Sequence, residues 1–231
     1  MIIRLGEIAI DLSLKDVQHV HLSVYPPNGA VKMTAPLHSN EESLKLYAIS
    51  KLSWIKKEQK KFKDQTRETK RIYVERESIY LWGQRYLLTV THAKRPSIKY
   101  DSFNLVFFCP EHYTLEQRRK YFNTWYRKQL RVFAEPLIMQ WAETLQVGPN
   151  KLIVSTMKTK WGSCNPKNNN IRLNTELAKK PKLSIEYIIV HELLHLLEPN
   201  HGDRFMSLLE QHMPDWQSRK QMLSEMPLHF D

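Results

Sequence analysis

The chain has 231 residues, of which 42% are hydrophobic and 26% charged, which is the composition of a globular protein with a sizeable core. No apolar run approaches the ~18 residues of a membrane helix, and the N-terminus lacks signal-peptide features. Two cysteines, Cys109 and Cys164, are too few for a disulfide framework or a Cys-rich zinc site, so we expect a cytoplasmic protein with reduced thiols. The net charge of +11 favours polyanionic partners.

The first half of the chain is rich in alternating apolar and β-branched residues, which predict strands. A basic helix is predicted between the first strands and the later ones, a bend is expected at Gly83, and we find no internal repeat. The predicted strands cover residues 3–12, 17–26, 29–36, 72–93 and 104–110, and the helix covers 40–63.

Helical patterns dominate after residue 112. Thr114 and Gln117 predict a capping box for a helix towards Leu145, which Pro136 should kink or divide. Two strands and three helices follow, and together they favour an α+β protein in one integrated domain. Its strand-rich subregion would be 1–112 and its helical catalytic subregion 113–231; the late strands are predicted at 151–157 and 171–174, and the late helices at 183–197, 203–212 and 215–225.

Two basic segments carry much of the positive charge, residues 51–71 and 118–131. The second also contains four aromatic residues, Tyr121, Phe122, Trp125 and Tyr126. Cations interleaved with aromatics are typical of surfaces that bind single-stranded nucleic acid, because bases stack on the rings. The alternative is a solvated helix face with its aromatics turned into the core.

The segment HELLHLLEPNH, residues 191–201, has the spacing of a metal site. On a helix, His191 and His195 lie one turn apart on one face, so both imidazoles can reach one ion. Glu192 stands where the general base stands in H-E-x-x-H sites. The proline two residues before His201 should turn the chain and can bring that third imidazole back to the ion. The alternative is an amphipathic helix whose histidines are solvated or hydrogen-bonded.

Four segments resemble the YgjP-like metallopeptidase domains, which are related to the SprT-like and WLM zinc proteases. They are KTKWGSCNP (158–166), IRLNTELAKKP (171–181), HELLHLLEPNHGDRF (191–205) and MPDWQSRKQML (213–223). The resemblance implies a zincin-like α+β fold in which a strand lines the active-site cleft. It also implies that His191, His195 and His201 bind Zn²⁺ and that Glu192 is the catalytic base.

Glu198 separates this chain from the metzincins, which share the histidine spacing but have a glycine at that turn position. Its side chain either faces solvent or orients a ligand histidine. Trp161 is expected in the core or in contact with substrate, and Asn174 either bonds loop backbone near the site or ends a strand. Cys164 is a fourth ligand, a nucleophile or a small buried residue.

These features predict a zinc-dependent metallohydrolase that cleaves peptide bonds with a water that Glu192 activates at the ion. Arg204 and Tyr187 are candidates for stabilising the oxyanion. One alternative is a metal-dependent hydrolase of nucleotides or other phosphoanhydrides, although no Gly-rich phosphate loop is present. Its phosphate ligands would be Lys158, Lys160 and Arg172. Another is a DNA-associated protease or nucleic-acid-binding module that uses the basic segments.

Overall fold

The computed structural model describes residues 1–25, 28–64 and 71–225, and at 61–64 and 224–225 it describes the backbone alone. The described residues up to 64 belong to one compact unit and those from 71 onwards to a second, larger one. Both units combine a sheet with helices, so the predicted α+β class is confirmed. The predicted shift from strands to helices near residue 112 falls inside the second unit, and the single integrated domain stays a prediction.

The first unit is a four-stranded sheet followed by two helices. Its strands are β1 (Ile2–Leu5), β2 (Ile8–Lys15), β3 (His21–Tyr25) and β4 (Ala30–Pro36), and its helices are α1 (Glu41–Ser50) and α2 (Leu52–Asp64). The strand order is β1-β2-β4-β3, with a parallel central pair and antiparallel outer pairs. The single helix predicted for 40–63 is interrupted at Lys51, where the Ser50 hydroxyl donates to the Tyr47 carbonyl at 2.8 Å and competes for the helix hydrogen bonds.

The second unit begins with a sheet of the same design. Its strands are β5 (Ser78–Leu81), β6 (Gln84–His92), β7 (Ser97–Tyr100) and β8 (Leu105–Cys109). The order β5-β6-β8-β7, with a parallel central pair and antiparallel outer pairs, repeats the topology of the first sheet. The repeat is invisible in the sequence because such a sheet requires only alternating apolar side chains, which different residues can supply.

A three-stranded sheet follows the long helix α3 (Leu115–Leu145). It consists of β9 (Lys151–Ser155), β10 (Gly162–Asn165) and β11 (Asn170–Asn174) in the order β10-β11-β9. Strand β10 is antiparallel to β11 and has no second neighbour among the described strands. An edge strand therefore contains the Gly-Ser-Cys part of the WGSC motif, a position that the residue pattern alone did not predict.

A short 3-10 helix (Thr175–Lys179) leads to the last three helices, α4 (Lys182–Leu194), α5 (Asp203–His212) and α6 (Trp216–Glu225). The β5–β6 turn rests on this short helix, because the backbone N–H groups of Trp82 and Gly83 donate to the carbonyls of Ala178 and Lys179 at 2.9 and 3.1 Å. Trp82 and Gly83 have φ values of 53° and 85°, as a type I′ hairpin turn requires. The contact fixes the chain just before α4.

Helix α3 confirms the predicted capping box and excludes one of the two effects predicted for Pro136, the division of the helix. Its predicted capping box is present, since Gln117 N donates to the Thr114 hydroxyl and Thr114 N donates to the Gln117 side chain. The helix continues through Pro136, however, and is not divided there. Buried Ala134 and Ile138 on either side pack into the core, and this packing outweighs the loss of one backbone hydrogen bond.

Helix α4 is mostly buried and is bonded to its neighbours through Glu186. This carboxylate accepts from Trp141 Nε1 of α3 at 2.9 Å and from Arg219 Nη1 of α6 at 2.5 Å. Arg219 also donates to Asp215 at 2.8 Å. This network gives the closing MPDWQSRKQML segment a physical role, because it ties α6 to the helix that carries the histidines.

The aromatic residues of the basic segment 118–131 lie in the core. Phe122, Trp125 and Tyr126 are buried, and the Tyr121 hydroxyl donates to the Pro96 carbonyl at 2.8 Å. These rings are not available to stack on bases, so the stacking interpretation of this segment is wrong and the alternative holds. None of the helices in the described part of the chain is long and apolar enough to cross a membrane.

Candidate metal centre

Three histidines converge where α4 ends and the chain turns towards α5. His191 lies in the last turn of α4, His195 is the residue that caps it, and His201 lies just before α5. Their ligand atoms all lie within 4.8 Å of one another, and the Nε2 atoms of His191 and His201 are 3.0 Å apart. The structure therefore brings together the three residues predicted as metal ligands.

The orientation of His195 is set by the backbone of the turn. Its Nδ1 lies 3.1 Å from the carbonyl oxygen of Glu198. Because a carbonyl only accepts, Nδ1 carries the proton and Nε2 keeps its lone pair for an ion. Of the two roles predicted for Glu198, orienting a ligand histidine is the one observed, and the group that does so is its main-chain carbonyl.

Phe205 packs against all three imidazoles and was missed by the sequence analysis. It is 1% exposed, and its ring centroid lies 5.1, 4.9 and 4.8 Å from those of His191, His195 and His201. An apolar floor of this kind limits the rotations of the rings and keeps water from one side of the site. The only sequence signal was an aromatic residue at the end of the HGDRF segment.

Burial keeps His191 and His195 in the neutral state that a metal ion requires. It lowers the pKa of His191 to about 3, with help from His195 and His201, and it also lowers the pKa of His195. Neutral rings offer lone pairs, and three convergent imidazoles are a donor set typical of zinc. The residues present therefore fit a single divalent ion.

Glu192 lies against the edge strand β10. It is 5% exposed, and a Cβ atom built on Gly162 would be 2.6 Å from its Oε1 and 2.7 Å from its Cγ. Burial raises the pKa of Glu192 to about 7, although Lys160 and the Cys164 backbone N–H act in the opposite direction. A carboxylate with a pKa near 7 can both accept and return a proton at neutral pH.

The family model for the YgjP-like metallopeptidase domain matches residues 19–226. The chain belongs to this family. The resemblance seen in the sequence is therefore confirmed, and membership of the YgjP-like family implies a metallopeptidase with a metal cofactor.

Other comparisons of this YgjP-like chain are more limited. A search of curated proteins finds no match. Among solved structures, the zymogen of jannalysin from Methanocaldococcus jannaschii is 22% identical, with a TM-score of 0.36 over 39% of this chain and 87% of that one. The zymogen of abylysin from Pyrococcus abyssi is 18% identical, with a TM-score of 0.36 over 41% of this chain and 98% of that one.

Asn174 does not touch the histidines of this YgjP-like site but holds the segment that precedes β10. It is fully buried, and its Nδ2 donates to the carbonyls of Met157 and Lys160 at 2.8 and 2.9 Å. Its Oδ1 accepts from the backbone N–H groups of Met157 and Glu176 at 3.3 and 3.2 Å. Both predicted roles are observed, because Asn174 is the last residue of β11 and its side chain bonds loop backbone.

The remaining predicted site residues lie around this centre. Trp161 is half-buried, and the Lys180 ammonium lies 5.2 Å from its ring. Arg204 is exposed in the first turn of α5, and the buried Tyr187 ring is 5.9 Å from that of His191. Burial, with a smaller effect of Glu192, raises the pKa of Cys164 to about 11, which disfavours a thiolate nucleophile.

Proposed function

We propose that this YgjP-like chain is a zinc-dependent peptidase of zincin-like fold, with His191, His195 and His201 as ligands and Glu192 as general base. The observation that carries the proposal is their joint geometry. Three imidazoles have ligand atoms within 4.8 Å of one another, and Glu192, which directly follows His191 in the chain, is a buried carboxylate whose pKa is raised to about 7.

Zinc supplies the electrophilic part of the chemistry: when bound, it lowers the pKa of water towards 7 and polarises the scissile carbonyl. Glu192 takes the proton of the attacking water on its carboxylate and delivers it to the departing amine, which leaves with a new N–H bond. Its pKa of about 7 suits both transfers at neutral pH. Phe205 excludes water from beneath the rings.

Strand β10 favours a peptide over a phosphoanhydride as substrate. It pairs on one side with β11 and lacks another strand partner in the described structure, so its outer backbone groups can bond an extended peptide. Gly162 within β10 lies against Glu192, which puts such a peptide beside the general base. The scissile bond would therefore lie next to Gly162.

The proposal is tested by assaying the metal-free protein with and without one equivalent of Zn²⁺. The substrates are a library of quenched fluorescent peptides, an unfolded protein and a nucleoside triphosphate. We expect peptide and protein cleavage that depends on zinc and stops when a chelator is added. Phosphate release from the triphosphate without peptide cleavage would instead support the phosphoanhydride alternative.

Replacing Gly162 by alanine should lower peptide turnover by about 10²-fold, because the added methyl group displaces the Glu192 carboxylate and a misplacement near 1 Å is this costly. Zinc content should not change, since the histidines are untouched. The matched control is Gly148→Ala, where no atom lies within 4 Å of the added Cβ. Turnover and elemental analysis of both variants check the prediction, and wild-type turnover in Gly162→Ala would contradict it.

A nucleic-acid partner and a cytoplasmic location stay predictions. The basic segment 118–131 keeps its exposed cations Arg127, Lys128 and Arg131 but presents no stacking rings, so binding would rest on phosphate contacts alone. The protein would then bind double-stranded and single-stranded nucleic acid alike, because stacking on aromatic rings is what favours single strands.

A further inference from the structure

Lys160 places a positive charge beside the general base. Its carbonyl is held by Asn174 Nδ2 at 2.9 Å, and it precedes by two residues the glycine that lies against Glu192. Its side chain is exposed and forms no ion pair with any carboxylate of the described residues. The backbone is thus fixed while the ammonium group stays free to meet a substrate.

Lys160 lies two residues from the glycine whose backbone meets Glu192, so a negative group bound along β10 would come near its ammonium group.

A second cation comes from α6. The Lys220 ammonium lies 5.6 Å from the Trp216 ring, which stacks on Tyr187 at 6.4 Å, and Tyr187 in turn contacts His191. Three carboxylates of α4, α5 and the start of α6 are engaged by other donors. Asp215 and Glu186 accept from Arg219, and Glu210 accepts from Trp216.

The segment that carries His201 bears carboxylates, in contrast to the two lysines. Glu198 lies before this histidine and Asp203 after it, and neither carboxylate has a cationic partner among the described residues. The site is therefore electrostatically uneven: Lys160 lies just before β10 and Lys220 on α6, while the two carboxylates flank His201 in the turn into α5.

We infer that the site selects peptides with a carboxylate side chain within about two residues of the scissile bond, on the side that lies along Lys160. The inference rests on the proposed peptidase function. Lys160 lies two residues before Gly162, where β10 begins, and an extended substrate advances about 3.3 Å per residue, so a substrate residue two positions from the bond beside Gly162 would come level with Lys160.

Matched quenched peptides test this inference with the zinc-loaded full chain. They differ only at the residue two positions before or two positions after the cleaved bond, which is Glu, Gln or Lys. We expect Glu to raise kcat/KM over Gln by about 1.5- to fivefold at one of the two positions, the range for an exposed ion pair. The preference should shrink in about 0.5 M salt, because exposed charges are screened.

Two charge-inverted variants isolate the residue responsible. Lys160→Glu should reverse the order so that the Lys peptide is cleaved faster than the Glu peptide, and the ratio of the two rates is insensitive to any common change in turnover. Lys151→Glu, an exposed position on β9 at the opposite edge of the same sheet, should keep the wild-type ratio.

The outcomes separate the inference from the proposed function. Equal kcat/KM for the Glu, Gln and Lys peptides at both positions would overturn the selectivity and leave the peptidase intact, as would an unchanged ratio in Lys160→Glu. A lack of cleavage of every peptide, the neutral ones included, would overturn the proposed function and the selectivity with it.

Discussion

Glu192→Gln is expected to lower the rate of peptide hydrolysis by about 10²–10⁴-fold while zinc content and fold are retained. Glutamine keeps the shape of the side chain, so it fits against Gly162 as glutamate does. The amide cannot accept the proton of the attacking water. Because the loss belongs to the chemical step, it should appear in kcat rather than in KM.

The measurement compares wild type, Glu192→Gln and a surface control under saturating peptide. Glu143→Gln makes the same chemical change at an exposed position on α3 and should keep full turnover. Thermal unfolding and elemental analysis verify that fold and metal are unchanged. Turnover of Glu192→Gln within a fewfold of wild type would remove Glu192 from the role of general base.

His195→Ala is expected to lower zinc affinity by at least about 10²-fold. Losing even a residue that only hydrogen-bonds to a metal ligand lowers metal affinity by about 10–100-fold. Protein purified without added metal should then contain little zinc and show no hydrolysis. Its midpoint of thermal unfolding should fall to that of the metal-free wild type, because a ligand that binds only the folded state stabilises it.

His92→Ala is the matched control, because this histidine is exposed at the end of β6 and lies outside the cluster. It should keep stoichiometric zinc. Elemental analysis gives the zinc content of each variant, and titration of the metal-free proteins with Zn²⁺ gives the affinity. Full zinc occupancy in His195→Ala would mean that the ion is held by a different set of residues.

The parts of the site that follow from local geometry could be predicted from the sequence. His191 and His195 share a face because of helix periodicity, and Thr114 with Gln117 cap α3 through contacts only three residues apart. Such features depend only on residues that are close in the sequence, so they can be recognised without the rest of the fold.

The parts that depend on distant contacts could not be predicted from residue patterns. Nothing in the sequence connects Gly162 with Glu192, which its backbone meets only in the folded protein. Strand β10 consists of Gly, Ser, Cys and Asn, of which Gly and Asn are depleted in strands, and it exists because β11 offers it a partner. In the same way, core packing overrides Pro136 in α3.

The position of the histidines at the end of α4 has an electrostatic consequence. The last carbonyls of a helix lack intrahelical donors and together carry roughly half an elementary negative charge. Three neutral imidazoles leave the double charge of a zinc ion uncompensated, so this partial charge attracts the ion towards the residue that caps the helix. A bound cation would in turn stabilise the last turn of α4, and the metal would thereby act as a helix cap.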